Sequence, residues 1–482
     1  MSARHHVSLH VRLPVLLAIR NAKSKKTTIR GRRASLFSGG EDMIHKFSMG
    51  GKNIVLDVNS GAVHVVDKLV FDMLDYVQVP LSREMPFSGD EKEAYAEILE
   101  LYDNGLLFSE EVTNLDIARL HRNAPVKALC LHVAHDCNLR CGYCFADTGE
   151  YRGGRELMSA EIGKKAIDFV IENSQKRRNI EIDFFGGEPL MNFEVVKEIV
   201  EYARQKEKLC NKVFRFTLTT NGVLLDDEKL RYINEYMSNL VLSLDGRKEV
   251  NDRMRKTVSG TGSYDLILPK LKKAADSRGQ KNYYLRGTFT RHNLDFAEDV
   301  FHIADLGFKQ ISVEPVVAEN EKDFAIKNED LPQIFEEYEK LAKEYLKNSF
   351  TFFHFMLELQ SGPCIIKRMS GCGAGSEYLA ISPSGDIYPC HQFVGNKEFY
   401  MGNVNHDGYN HEIRDIFANT NLYTKHGCSE CWAKFHCSGG CHANAYSFNK
   451  DINKPYGIAC EMEKKRVECA LFIEAEKAGD TY

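Results

Sequence analysis

From Met43 onward, apolar residues recur in short runs broken by glycine and asparagine. MIHKFSM, NIVLDV and AVHVV alternate or stay apolar and are separated by Gly50-Gly51 and Asn59-Ser60-Gly61, which predicts strands joined by tight turns. LVFDMLDYV and EKEAYAEILELYDNGLLF change to helical spacing, with Gly105 as a C-terminal stop. Three strands followed by helices over 43–118 predict a small winged-helix-like domain. Such a domain is either a structural cap or a dock in which a peptide adds a strand to an exposed sheet edge.

Residues 126–316 repeat a different rhythm. ALCLHVA, IEIDFFG, FRFTLTT, LVLSLDG, YLRGTFT and QISVEPV are apolar runs of strand length with amphipathic or polar stretches between them. Alternating β and α elements imply a parallel sheet covered by helices. Six such units fit an open partial barrel better than a closed one of eight. In barrels of this kind chemistry sits at the C-terminal ends of the strands, and CNLRC, GGEP, TTNG and SLDG all fall there. DLPQIFEEYEKLAKEYLKNS predicts a charged amphipathic helix, a solvated linker to the last part. There, short strand-and-turn segments such as EYLAISPSGDIYPCHQF bring the cysteines back.

Composition narrows the class. The chain has 482 residues, 43% hydrophobic and 27% charged, enough for about three domains with ordinary globular cores. No apolar run approaches the ~20 residues of a membrane span. Positions 1–42 hold nine Lys/Arg and two acids, so the remaining chain keeps 54 of the 63 bases against 66 of the 68 acids, a net −12. That balance excludes nucleic acid as the main partner, since such binding rests on phosphate neutralisation. The basic stretch 1–42 has no strand pattern. Gly39-Gly40-Glu41-Asp42 before Met43 can be encoded as a purine-rich ribosome-binding site ahead of a start codon. A translated leader is therefore expected, with a basic arm, a cloning remnant or a targeting segment as alternatives.

The chemistry lies in the cysteines. Ten of the fourteen fall at 137–144 and 364–441, spacing that argues metal rather than disulfide in a long chain and implies a reducing cytoplasm. Cys137, Cys141 and Cys144 follow CxxxCxxC with no fourth cysteine nearby, so three thiolates would leave one iron of a four-iron cluster open. Structural zinc would want a fourth ligand. Closing on Tyr143, the string AHDCNLRCGYCFA resembles the signature of radical S-adenosylmethionine (SAM) enzymes. In that family the GGEP loop, here Gly186, Gly187, Glu188 and Pro189, binds the SAM methionine moiety; glycines let backbone approach a ligand and a carboxylate can hold an ammonium. Thr219, Asn221, Ser243 and Asp245 are strand-end polar residues suited to ribose and carboxylate contacts, and Arg286 and Glu314 sit near strand ends too. Each could equally be a satisfied structural polar residue.

The second region reads Cys372, Cys390 after a Gly385-x4 turn, Cys428-x2-Cys431-x5-Cys437-x3-Cys441, and Cys460. In isolation it fits a zinc ribbon as well as iron. After a radical SAM barrel it resembles the SPASM extension, which carries two auxiliary four-iron clusters. The resemblance places Cys428, Cys431, Cys437 and Cys460 on one, and Cys372, Cys390 and Cys441 on the other. Cys364 either completes the second or leaves an iron open for a substrate thiolate. Cys130, Cys210 and Cys469 fit no spacing and are expected to be buried small hydrophobes.

MIHKF, NIVLDVNSGAVHVVD, GCGAGSEYLAISPSGDIYPCHQFVG and MGNV look like the SCIFF peptide maturases of clostridia-type anaerobes, over about 43–470. The resemblance implies an α/β fold: a partial (β/α)6 TIM-type radical SAM barrel at 119–348, a winged-helix-like peptide-recognition domain at 43–118, and a SPASM domain with a C-terminal helix at 349–482. It implies SAM and three four-iron clusters as cofactors. Its implied partners are a cysteine-rich SCIFF precursor peptide and a reducing ferredoxin or flavodoxin. The implied reaction uses a 5′-deoxyadenosyl radical to remove hydrogen from a threonine carbon, which a cysteine sulfur then joins. Sulfatase-maturating relatives carry a basic aspartate directly after the cysteine matching Cys390; here it is His391, which argues against a sulfatase substrate. His391 is a candidate proton acceptor titrating near neutrality, or a turn residue beside the cluster. A maturase making another cross-link is the neighbouring reading. An electron carrier that binds peptide is the reading from another class, and it would have no need of a GGEP pocket.

Overall fold

The computed structural model describes residues 10–11, 43–84, 87–111, 124–357, 365–406 and 409–479. Its first sheet is antiparallel, β1 (His10–Val11), β2 (Ile44–Met49), β3 (Lys52–Asp57) and β4 (Val63–Val66), in spatial order β1-β4-β3-β2. Gly50 and Gly51 turn the β2–β3 hairpin at φ 58° and 80°, a conformation costly for any residue with a Cβ. LVFDMLDYV is helical only over Lys68–Met73, capped by the Asp67 side chain, and the longer run is helical over Asp90–Asp103. Val55, Val70, Met73, Ile98 and Leu101 close a small core between sheet and helices. The other face of the sheet, Ile54 and Leu56, joins the main core together with Phe472 of the C-terminal helix Gly457–Gly479. One expectation is corrected here. The leader has no visible strand pattern, yet His10 and Val11 pair with His64 and Val63 on the β4 edge.

The barrel follows: β5 (Ala128–His135), β6 (Leu139–Cys141), β7 (Glu156–Leu157), β8 (Asn179–Gly186), β9 (Val213–Thr220), β10 (Asn239–Ser243), β11 (Arg255–Thr257), β12 (Asn282–Phe289) and β13 (Gln310–Pro315). Six of these, β5, β8, β9, β10, β12 and β13, lie side by side and parallel. Burial alternates along them. On β9, Phe214, Phe216 and Leu218 are buried, whereas Arg215, Thr217 and Thr219 point the other way and stay partly open. Apolar side chains thus meet the helical layer while polar ones line the concave face. Helix ends are marked by capping side chains, Ser159 on Ile162 N and Asp226 on Lys229 N.

The sheet does not close. β14 (Thr351–Phe352) ends it on one side, and β15 (Tyr378–Ile381), β16 (Asp386–Tyr388) and β17 (Gly402–Asn403) extend it on the other. β15 pairs in parallel with β5, so the C-terminal segment continues the barrel wall. Helix Leu331–Tyr345 is no solvated linker. Ile334, Tyr338, Leu341 and Ala342 are buried, and the Tyr338 hydroxyl accepts from Arg466 Nε at 2.9 Å on the C-terminal helix. The acidic face that suggests solvent is only half of it. No helix among the described residues is long and apolar enough to cross a membrane.

Candidate active site

β5 delivers Cys137 to the barrel mouth, and β6 holds Cys141 by pairing with β11, with Arg255 opposite it. Gly142 N donates to Met254 O at 2.8 Å and Cys144 N to Cys141 O at 3.1 Å, so the three cysteines lie on one pinned loop. Leu139 N and Asn221 Nδ2 donate to Cys137 Sγ at 3.4 and 3.6 Å. Burial pushes the Cys137 thiol up to about 11 and Cys141 to about 12, against the pull of the Arg255 guanidinium. Cys144 is raised for the same reason. Such thiols become ligands only when a metal takes the place of their protons. Tyr143 does not point to solvent. Its hydroxyl lies 2.9 and 2.8 Å from the Asp245 oxygens and receives Arg255 Nη1 at 2.9 Å.

The GGEP loop is zipped onto this loop. Gly187 N donates to Ala134 O at 2.8 Å and Glu188 N to Asp136 O at 2.9 Å. A Cβ on Gly186 would lie 2.2 Å from Ala134 O, and one on Gly187 would lie 2.2 Å from Asp136 O. The glycines therefore admit the cysteine loop's own backbone, where close approach to a ligand was expected. Pro189 opens a short 3-10 turn, Pro189–Asn192, capped by Glu188. Glu188 is buried and accepts from Leu190 N at 3.0 Å, Thr220 Oγ1 at 2.8 Å and Asn221 N at 2.8 Å. Three of a carboxylate's roughly four acceptor positions are thus filled by the protein, and any ammonium contact falls to the remaining one. Burial pushes this carboxyl up to about 7.

Two residues expected at the ribose face inward. Asp245 is fully buried between Tyr143 and Thr288 N, and burial raises its carboxyl to about 6 against the charge of Arg255. Asn221 bridges Cys137 Sγ and Asn138 Oδ1, the latter at 2.7 Å. Both brace the cysteine loop. Thr219 and Ser243 remain on the concave face, Ser243 in register with Arg286. Arg286 is exposed there, and Glu314 accepts from Ser312 Oγ at 2.8 Å and meets His354 Nε2 at 2.9 Å. Burial opposes ionisation of Glu314, but His354, Arg286 and Arg466 outweigh it and hold its carboxyl well below the usual range.

The C-terminal cysteines gather into two sets. Burial pushes the Cys390 thiol up, with Cys441 and Cys372 adding to the rise, and burial pushes the Cys437 thiol up, with Glu463, Cys460, Cys428 and Cys431 adding to it. Cys364 lies outside the described residues. Among the described residues, no three His, Cys, Asp or Glu side chains stand together closely enough to hold a single metal ion. His391 faces the rings of Phe185 and Phe145 at 5.3 and 5.8 Å, and its Nδ1 lies 3.3 Å from the Tyr378 hydroxyl. Burial and the Arg286 charge push its pKa down to about 4, so it does not titrate near neutrality and stands as a neutral ring. Cys130 and Cys469 are buried, but Cys210 is only partly so, with Sγ donating to Lys206 O at 3.1 Å.

Several site residues gave no sequence signal. Arg255 reaches the cysteines only because β11 pairs with β6. His132 and His135 join at 3.1 Å beside Tyr151, whose hydroxyl donates to Gly186 O at 3.0 Å. On a regular strand residues 132 and 135 would face opposite sides; the irregularity between His132 and Ala134 lets the two rings meet, so the spacing carried no signal.

Comparison with known proteins meets this geometry at the same places. Residues 131–300 match the radical SAM superfamily, and residues 372–442 match an iron-sulfur cluster-binding domain, SPASM. The chain carries a radical SAM domain followed by a SPASM domain. It is 24% identical over 444 residues to the radical SAM cyclopropyl synthase TigE of Paramaledivibacter caminithermalis, covering 84% of this chain and 88% of that one. It is 26% identical over 330 residues to AlbA, the subtilosin biosynthesis protein of Bacillus subtilis, covering 66% and 67%. A cysteine-type anaerobic sulfatase-maturating enzyme of Clostridium perfringens is 24% identical over 382 residues, covering 72% of this chain and 96% of that one. The solved structure of anSMEcpe with bound AdoMet and a peptide shares the fold, with TM-score 0.61, 20% identity, and coverage of 74% of this chain and 100% of that one.

The radical SAM loop fits a four-iron cluster on its own chemistry. Three cysteines share one loop, two N–H groups point at Cys137 sulfur, and the buried guanidinium of Arg255 supplies countercharge to thiolates. The SPASM domain has a buried lysine of its own, Lys425, whose Nζ donates to Gly439 O and Gly440 O in the turn between Cys437 and Cys441.

Proposed function

We propose that this protein is a peptide maturase joining a cysteine sulfur to a threonine carbon in a small cysteine-rich precursor of the SCIFF type. The observation that supports this most is the β5–β15 pairing. It sets β5, which ends two residues before Cys137, beside the β15–β16 hairpin, which ends two residues before Cys390, so the two cysteine regions belong to one continuous sheet. The long strings shared with SCIFF maturases, and the similarity to AlbA, a bacteriocin biosynthesis protein, favour a peptide as the molecule bound between them.

Cys137, Cys141 and Cys144 would hold the SAM-binding cluster, and Cys428, Cys431, Cys437, Cys460 and Cys372, Cys390, Cys441 two auxiliary ones. With SAM bound, the first cluster would supply a 5′-deoxyadenosyl radical able to remove a hydrogen atom from carbon, and an auxiliary cluster would take the electron left over when a cysteine thiolate joins that carbon. Thr219, Ser243 and Arg286 line the face on which SAM and peptide would lie. The neutral ring of His391, next to Cys390 and with its pKa pushed down to about 4, would line this face as a hydrogen-bonding group rather than as a base. β4, which carries only the two-residue β1 on its outer side, offers the edge for a leader segment that takes the place of β1; docking would hold the reactive part near the barrel by effective concentration. The same reading includes a cytoplasmic setting and reduction by a ferredoxin or flavodoxin.

The test is to incubate reduced, iron-loaded protein with SAM and the cysteine-rich peptide encoded beside it. Expected are 5′-deoxyadenosine and a peptide that has lost two hydrogens and one iodoacetamide-reactive thiol per link. Hydrogen loss with every thiol still reactive would replace the thioether with a carbon-centred link, the outcome that the similarity to a cyclopropyl synthase makes worth measuring. No deoxyadenosine would reject the radical reading.

A further inference from the structure

Lys425 is a charged side chain in an unexpected place. It is 2% exposed, and its Nζ donates to Gly439 O at 2.7 Å and Gly440 O at 3.3 Å, in the turn between Cys437 and Cys441. Gly439 makes room for its stem, since a Cβ there would lie 3.1 Å from Lys425 Cδ. Among the described residues no carboxylate pairs with it. Its carbonyl partners lie in the turn that joins Cys437 of one set to Cys441 of the other; burial lowers its pKa, and thiolates at Cys428, Cys441, Cys437 and Cys372 would act in the opposite direction. Of the other buried cations, Lys434 meets Glu111 at 2.9 Å and Arg255 lies 3.7 Å from Asp245, whereas Arg278 and Lys212 are held, as Lys425 is, by carbonyl oxygens. A buried charge without an anion is among the costlier things a protein can hold, and thiolates held around this ammonium would lower that cost.

We propose that Lys425 is the shared counter-cation of the two SPASM cysteine sets and raises the reduction potential of the clusters they hold. This rests on the reading of two auxiliary clusters given above. The physics is that of net charge. Cluster potentials follow the local charge, hydrogen bonding and exposure, and a fixed positive charge in a water-poor site favours the more negative, reduced state. One ammonium placed between two sets acts on both, which neither set's own ligands can do. Lys425 touches no substrate; it is a positioning and tuning residue.

The test compares iron-loaded wild type, Lys425→Met and Lys425→Arg by redox titration followed by electron paramagnetic resonance, with iron content and circular dichroism on each. Lys425→Met should shift the auxiliary potentials negative and leave the Cys137/Cys141/Cys144 cluster where it is, and Lys425→Arg should move them back. In iron-free protein, Lys425→Met should melt at a higher temperature than wild type, because the uncompensated charge is gone. Auxiliary potentials unchanged in a folded, fully loaded Lys425→Met would overturn the proposal. If Lys425→Met fails to hold iron, recovery in Lys425→Arg supports the charge, and failure of both assigns the residue to packing and overturns the proposal. Wild type holding iron only at the Cys137 site would instead defeat the auxiliary-cluster reading itself.

Discussion

The Tyr143 hydroxyl touches both carboxylate oxygens of Asp245, at 2.9 and 2.8 Å, across 102 positions of sequence. This contact latches the cysteine loop to the end of β10, and Arg255 closes it from β11. Tyr143→Phe removes the donor while leaving Asp245 buried. We expect a loss of about 1–3 kcal/mol in denaturant unfolding of the iron-free protein. Unchanged stability would show that the latch has no energetic role.

Gly187 permits the contact between the two cofactor loops. Gly187→Ala places a Cβ 2.2 Å from Asp136 O, a backbone atom that cannot swing aside. The cysteine loop should shift, so iron at this site and 5′-deoxyadenosine formation should both fall at least tenfold, with the circular-dichroism spectrum kept. Gly457→Ala, where nothing lies within 4 Å of the new methyl, is the control and should match wild type in both measurements.

The SPASM cysteines should separate radical formation from bond formation. Cys372→Ala or Cys390→Ala is expected to leave part of the deoxyadenosine signal while the thioether product disappears. Because a cluster also staples its domain, iron content and fold must be checked on each variant. A folded variant lacking the Cys372/Cys390/Cys441 cluster that still makes thioether would remove that cluster from the chemistry.

Starting the chain at Met43 should leave peptide modification equal to that of the full chain or faster. The truncation removes β1 from β4 and frees the edge on which a peptide strand would add. Product yield by mass spectrometry decides it; a marked loss would make residues 1–42 part of the working protein.

Deleting the whole N-terminal domain is a blunter experiment. His45 stacks on Trp432 at 3.6 Å and meets Glu468 at 3.0 Å, so deletion would uncover the loop after Cys431 as well as remove the docking edge. Point changes on β4 should lower peptide turnover and spare SAM cleavage; equal turnover would reject docking there.

The sequence by itself determined what is local or periodic. Cysteine spacing within one loop, the GGEP turn, and the alternation that makes Phe214, Phe216 and Leu218 a buried face all lie within a few residues of one another. It also set six parallel strands, because a strand-helix rhythm admits few other arrangements. Only the tertiary structure decided which polar residues face the cavity. Asp245 and Asn221 sit at strand ends just as Ser243 does, and nothing in their neighbours says that two brace the Cys137 loop while one stays on the open face. Arg255 and Lys425 had no motif at all, since a cation's partners are set by where distant loops meet. The helix Leu331–Tyr345 looked solvated because charge density is read along the chain, whereas burial depends on what packs across from it. Contacts of this kind cost chain entropy and are repaid by burial, a balance that is struck only once the whole path of the chain is fixed.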